Sequence, residues 1–123
     1  MAHVLAFRTL SPMSWTAYVG ASISVLAGVL GLLFPARVSR VIGLSLPGRL
    51  GVSEFRATYG GLFIGAGIAV LAIGATEAAL VLGFAWLGAF VARLLSMAVD
   101  RSTSRENVAG LAIELAVGLM LVL

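Results

Sequence analysis

Six polar residues carry whatever chemistry this chain can do. Glu54, Arg56 and Tyr59 cluster near its middle, and Arg93, Asp100 and Glu114 follow in its second half. Glu54 and Glu114 are of the type that acts as general acid and base, but no nucleophile or metal pattern accompanies them. The chain has no cysteine and one histidine, His3. A thiolate nucleophile, a disulfide and zinc, haem or iron–sulfur ligation therefore find no residues here, and neither a metal nor a cofactor is expected. The expectation is a protein that is not an enzyme.

Arg93 and Glu114 stand out because each lies inside an apolar stretch, where a charge at the centre of a spanning helix costs roughly 2.5–3.5 kcal/mol. Each needs a partner or water. Glu114 lies eight residues beyond Glu106 and Arg93 seven before Asp100, or about 12 and about 10 Å along their helices at ~1.5 Å per residue. Two antiparallel helices joined by a short bend bring the charges to a similar depth, and the spacing predicts an Arg93–Glu114 pair. Arg93 shares a helical face with Trp86, Ala89, Ser96 and Asp100, and Glu114 shares one with Gly110 and Gly118. Those flanking glycines let a neighbouring backbone approach and cover the carboxylate. Glu54, Arg56, Thr58 and Tyr59 complete a candidate pocket on the same side. Three uses stay open for it: an ion-pair network that sets helix packing, a ligand or proton pathway, and catalysis.

The elements that must position these residues follow from composition. The chain is 123 residues long, so it holds a single domain. Its apolar residues amount to 61% even before the 15 glycines are counted, against roughly 45–50% with glycine included in soluble domains. Charged residues are 11% and mean hydropathy is +1.13. A soluble globule of this size has too little interior for that much apolar surface, so lipid is the expected solvent.

Four spans are predicted, at about 12–34, 54–75, 77–99 and 105–123. The first opens at Ser11-Pro12 and closes at Phe34-Pro35. It is read as a span and not a leader, since only Arg8 flanks it, the run is long and no small-residue cleavage site follows. Residues 35–53, with Arg37, Arg40, Arg49 and two prolines, read as a short interfacial helix. Thr76 is the expected cap of the third span, with Glu77 in its first turn. Thr103 and Glu106 form a capping-box pattern for the fourth. The fold class is thus all-α, a four-transmembrane-helix bundle with a short interfacial helix between helices 1 and 2.

All eight basic residues are arginines, and five of them fall in segments 35–53 and 100–106. The positive-inside rule places both segments in the cytoplasm and both termini outside. The arginines occur singly, without interleaved aromatics, so nucleic acid is not an expected partner. Gly60, Gly61, Gly65 and Gly67 superficially look like a dinucleotide loop, but no strand precedes them and they lie in a hydrophobic helix. Gly20-xxx-Ser24-xxx-Gly28, Gly61-xxx-Gly65 and Gly88-xxx-Ala92-xxx-Ser96 read as small-residue stripes for helix packing, within the chain or between chains.

The stretch Glu54-Phe55-Arg56-Ala57-Thr58-Tyr59-Gly60-Gly61, with Arg93, the Asp100 bend, Asn107 and Glu114 downstream, resembles small bacterial four-helix membrane proteins grouped as domain of unknown function 4345. The resemblance covers residues 12–123 and implies a bacterial inner-membrane protein with no assigned activity. Two functions are carried forward. The first is a non-enzymatic accessory or structural subunit of a homo-oligomer or larger membrane complex. The second is a small oligomeric transporter or ligand-binding protein with Glu114 as the protonatable group and Arg93 as its counter-charge, which leaves a small-molecule ligand open. Hydration discriminates them: a dry, sealed pair favours structure, and a wet cleft reaching Glu54 and Tyr59 favours transport.

Overall fold

A computed structural model of the protein describes residues 10–123; His3, Arg8 and the remainder of the N-terminal segment lie outside the described residues. Among the described residues five helices follow one another. They are α1 (Trp15–Leu33), α2 (Pro35–Val41), α3 (Gly48–Ile73), α4 (Thr76–Val99) and α5 (Arg105–Val122). Helices α1, α3 and α4 are long and apolar enough to cross a membrane. Helix α5 is also long, but it carries Arg105, Glu106 and Glu114 within its 18 residues.

The helix ends differ from expectation for local reasons. Ser14, not Ser11-Pro12, caps α1, its Oγ accepting from the Ala17 amide at 3.2 Å. The preceding residues are extended and pair with the α3–α4 turn. There the Met13 amide donates to Gly74 O at 3.0 Å, and the Thr76 amide to Ser11 O at 2.9 Å. Thr76 does not cap α4, because its hydroxyl donates to Pro12 O at 3.0 Å; Ala75 holds the cap position with no side-chain bond. At α5 the cap is Ser104, bonded by the Asn107 amide at 3.2 Å, in place of Thr103 with Glu106. The three-residue reach of such a cap is kept, one position later.

The segment expected as one interfacial helix over 35–53 is broken. Helix α2 ends at Val41, Gly43 is left-handed (φ 78°), and α3 begins at Gly48, well ahead of residue 54. Arg49 and Ser53, expected in the interfacial helix, therefore belong to the first turns of α3 together with Glu54 and Arg56. Inside α3, residues Arg56–Gly61 form a π-turn, with the Leu62 amide donating to Ala57 O. Such a turn inserts one extra residue into the helix and recurs at functional sites.

Packing centres on α1, whose buried face is almost all small: Ala17, Gly20, Ala21, Ser24, Gly28 and Gly31. This face meets α3 along one side and the end of α5 along the other, and α4 packs on α5. The core is built from Met13, Ala17, Ala21, Val70, Ala79, Leu82, Trp86, Val117 and Leu121. Large apolar side chains lie outside it, among them Val81, Phe84 and Leu62 at 74, 68 and 65% exposure. An exposed apolar surface of that extent suits contact with lipid or with another membrane chain.

Candidate functional site

The α4–α5 hairpin sets two charges face to face. Its bend is closed by Asp100, which accepts from Ser96 Oγ at 2.7 Å, and by Arg101 in the left-handed region (φ 52°). The Arg93 Nε donates to Glu114 Oε1 at 3.0 Å and Oε2 at 2.9 Å, and Nη2 donates to Oε1 at 2.7 Å. Both carboxylate oxygens are thus engaged by one guanidinium, the fork geometry that makes arginine pairs strong. Glu114 has a side chain only 10% exposed, and that of Arg93 is 33% exposed.

A third residue completes the arrangement. Arg93 Nη1 donates to Asn107 Oδ1 at 2.8 Å, while Asn107 Nδ2 donates to Ser102 O at 3.0 Å and Ser102 Oγ at 2.6 Å. Asn107 therefore ties the bend to the ion pair. The spacing argument named neither Asn107 nor Ser102 as a partner; the available signal was that Asn107, Gly110 and Glu114 recur on one helical face. Gly110 sits directly against the guanidinium, where an added Cβ would come within 2.8 Å of Arg93 Cζ. Gly118 makes the equivalent close approach to Leu87, where an added Cβ would come within 2.7 Å of its side chain.

Glu54, Arg56 and Tyr59 lie on α3. No hydrogen bond joins Glu54, Arg56 or Tyr59 to the Arg93–Glu114 pair among the described residues. Glu54, Thr58 and Tyr59 line a shallow open groove with Leu46, Pro47 and Leu50. Arg56 turns the other way, donating Nε to Leu32 O at 3.0 Å near the end of α1 and lining a second groove with Arg49 and Ser53. Glu54 and Arg56 are two residues apart, about 200° round a helix of 3.6 residues per turn, which is why they line different grooves.

An aromatic ladder links the two halves of the molecule. Phe55 stacks on Tyr59 with ring centroids 4.6 Å apart, Tyr59 lies 6.4 Å from Phe63, and Phe63 meets Trp86 edge-on at 5.3 Å. At its inner end Trp86 Nε1 donates to the buried Ser24 Oγ at 2.9 Å. A tryptophan buried in an apolar core needs such a partner, and Ser24 was read only as a small residue in a stripe.

Of the glycines assigned to packing, Gly20 meets Leu121, and Gly28 lies against Gly60 and Ile64. Gly65 and Gly88 have nothing within 4 Å, and Gly61 meets only the Arg56 carbonyl of its own helix. These three face outward and do not pack within the chain. Their places at the α1–α3 seam are taken by Gly31 and Gly60, where an added Cβ on Gly31 would overlap the Tyr59 carbonyl.

The family model described as a domain of unknown function (DUF4345) matches residues 13–123, which covers the α4–α5 pair, the π-turn and every helix. The chain belongs to the DUF4345 family. No curated protein and no solved structure matches it. The stretch Glu54–Gly61 through which the sequence resembles DUF4345 proteins coincides in this member with the π-turn and the α1–α3 seam. Among the described residues no three His, Cys, Asp or Glu side chains gather as metal ligands would.

Proposed function

We propose that this DUF4345 protein is a non-enzymatic accessory or structural membrane subunit, working as a homo-oligomer or docked to a larger membrane assembly. The observation that carries this reading is the closure of its polar centre. Glu114 is covered, bonded at both oxygens and flanked by glycines that admit no intervening group. A carboxylate held in this way serves to fix one helix on another, as polar residues do in small bundles. The uncovered outward stripes Gly61-xxx-Gly65 and Gly88-xxx-Ala92-xxx-Ser96 then supply docking faces of the type that brings helices together in lipid.

In this reading α5 joins α1, α3 and α4 as a fourth span, its two charges Arg105 and Glu106 at the interface and Glu114 neutralised by Arg93. The arginine bias puts segments 35–53 and 100–106 in the cytoplasm of a bacterial inner membrane, with both termini outside.

The natural absence of cysteine makes the test clean. Single Gly65→Cys and Gly88→Cys variants in native membranes are expected to give disulfide-linked dimers or cross-links to another subunit. Native mass spectrometry of the gently extracted protein should show the same partner. A monomer with no cross-link at either position overturns the proposal. Transport would be favoured instead if Glu114→Gln abolished proton-coupled uptake in vesicles while leaving assembly intact.

A further inference from the structure

Three arginines lie between α1 and the π-turn and a fourth, Arg56, opens that turn, and they are used in different ways. Arg37 sits 5.8 Å over the Phe34 ring, and Arg40 donates Nε to Ala36 O at 3.1 Å, so both fold back on their own segment. Arg49 and Arg56 instead line one open groove together with Ser53, Gly48 and Val52. Positions 49, 53 and 56 fall on one face of α3 at steps of four and three.

Neither Arg49 nor Arg56 has a carboxylate partner, since the ion pair found among the described residues joins Arg93 and Glu114. Glu54 lies in the groove on the other side of the helix. Arg56 is also pre-positioned. Its Nε is committed to Leu32 O, which leaves both terminal nitrogens of a planar fork for an outside acceptor. Arginine forks match phosphate oxygens in pairs, and the Ser53 hydroxyl between them adds a further donor.

Depth identifies the source of the phosphate. Helix α3 has 26 residues, about 39 Å at ~1.5 Å per residue, against a hydrocarbon core of about 30 Å. No charged residue occurs between Ala57 and Ile73, so the excess of about 9 Å, roughly six residues, lies at the N-terminal end. Arg49 and Ser53 then sit in the headgroup layer and Arg56 at its inner edge. Beside Arg56, the exposed Leu32 and Leu33 of α1 offer an apolar surface for an acyl chain.

We infer that Arg49, Ser53 and Arg56 form a binding site for the phosphate headgroup of an anionic phospholipid. The site uses none of the small-residue faces, so it stands or falls separately from the docking function. The experiment is thermal unfolding of the full chain in detergent micelles, with added phosphatidylglycerol, phosphatidylcholine or inorganic phosphate. Phosphatidylglycerol is expected to raise the melting temperature by several degrees, and the other two to have little effect. Arg49→Gln and Arg56→Gln should each at least halve that rise, and Arg37→Gln and Arg40→Gln should keep it. Because Arg56→Gln also removes the bond to Leu32, Arg49→Gln is the deciding variant. An undiminished rise in Arg49→Gln, or equal loss in Arg37→Gln and Arg40→Gln, overturns the site. No rise with phosphatidylglycerol, or an equal one with phosphatidylcholine or with inorganic phosphate, overturns the anionic-lipid assignment.

Discussion

Two seams hold the helices together, and they are built on opposite principles. Between α4 and α5 the contact is made by side chains, with Arg93, Glu114 and Asn107 joined by short hydrogen bonds. Between α1 and α3 it is made by backbone, with Gly28 and Gly31 lying against Gly60 and the Tyr59 carbonyl. The first seam depends on charge balance between Arg93 and Glu114. The second depends on volume and tolerates almost no added atom. A helix pair in lipid, where burial of apolar surface gives no drive, can thus be fixed by either route.

The largest effect is expected from unbalancing the polar seam. Glu114→Gln leaves the Arg93 guanidinium without its counter-charge, and losing one partner of a buried pair costs about 3–5 kcal/mol. Because Arg93 is one-third exposed, the lower end of that range is expected. Thermal unfolding in detergent reads it, and an unchanged melting temperature would remove the pair from any role in stability.

Overfilling the backbone seam comes next. Gly31→Val places a branched side chain where the Tyr59 carbonyl lies, with a cost of about 1–3 kcal/mol from forced backbone shifts. A variant as stable as the parent would mean that the seam is loose. The comparison sharpens with Arg93→Met combined with Glu114→Leu, which keeps the polar seam apolar and balanced. Its stability is expected within about 1 kcal/mol of the parent, far from the sum of the single changes. Additive losses in the double-mutant cycle would contradict charge balance as the organising principle. The smallest effect is expected at Gly88→Ala, which has open space around it and should stabilise the helix by about 0.5–1 kcal/mol. A large loss in the isolated monomer would show that the outward stripe is not outward.

The polar seam was legible because its logic is one-dimensional. Counting back from Asp100 and forward from Glu106 brings two opposite charges to a similar depth on antiparallel helices, and each is the other's counter-charge; Asn107, the further partner of Arg93, is uncharged and did not stand out in the same way. The volume seam was only partly legible. Gly20 and Gly28 face their neighbours as their spacing indicates, but Gly61, Gly65 and Gly88 carry the same spacing and point away. Small residues mark where close approach is permitted, and the partner decides where it happens. Gly60 lies five residues before Gly65, outside the steps of three and four that mark a small-residue stripe, so that spacing did not pick it out. Hydropathy likewise located the apolar part of α3 and missed its polar first turns, because it measures the membrane and not the helix. Three of the expected spans are helices that can cross; the charges on α5 are what separate it from them.

The Ser24–Trp86 bond bears on how the chain is synthesised. The two residues are 62 positions apart, so α1 is synthesised before its tryptophan partner exists. In that interval a hydroxyl sits in the middle of a lone hydrophobic segment. Its proton is already given to the Gly20 carbonyl of the same helix at 3.1 Å, and only acceptor lone pairs remain exposed to lipid. Ser24 can therefore wait without an unmet donor, and the arriving Trp86 supplies what the waiting helix lacks: a proton aimed at an oxygen that has none left to offer.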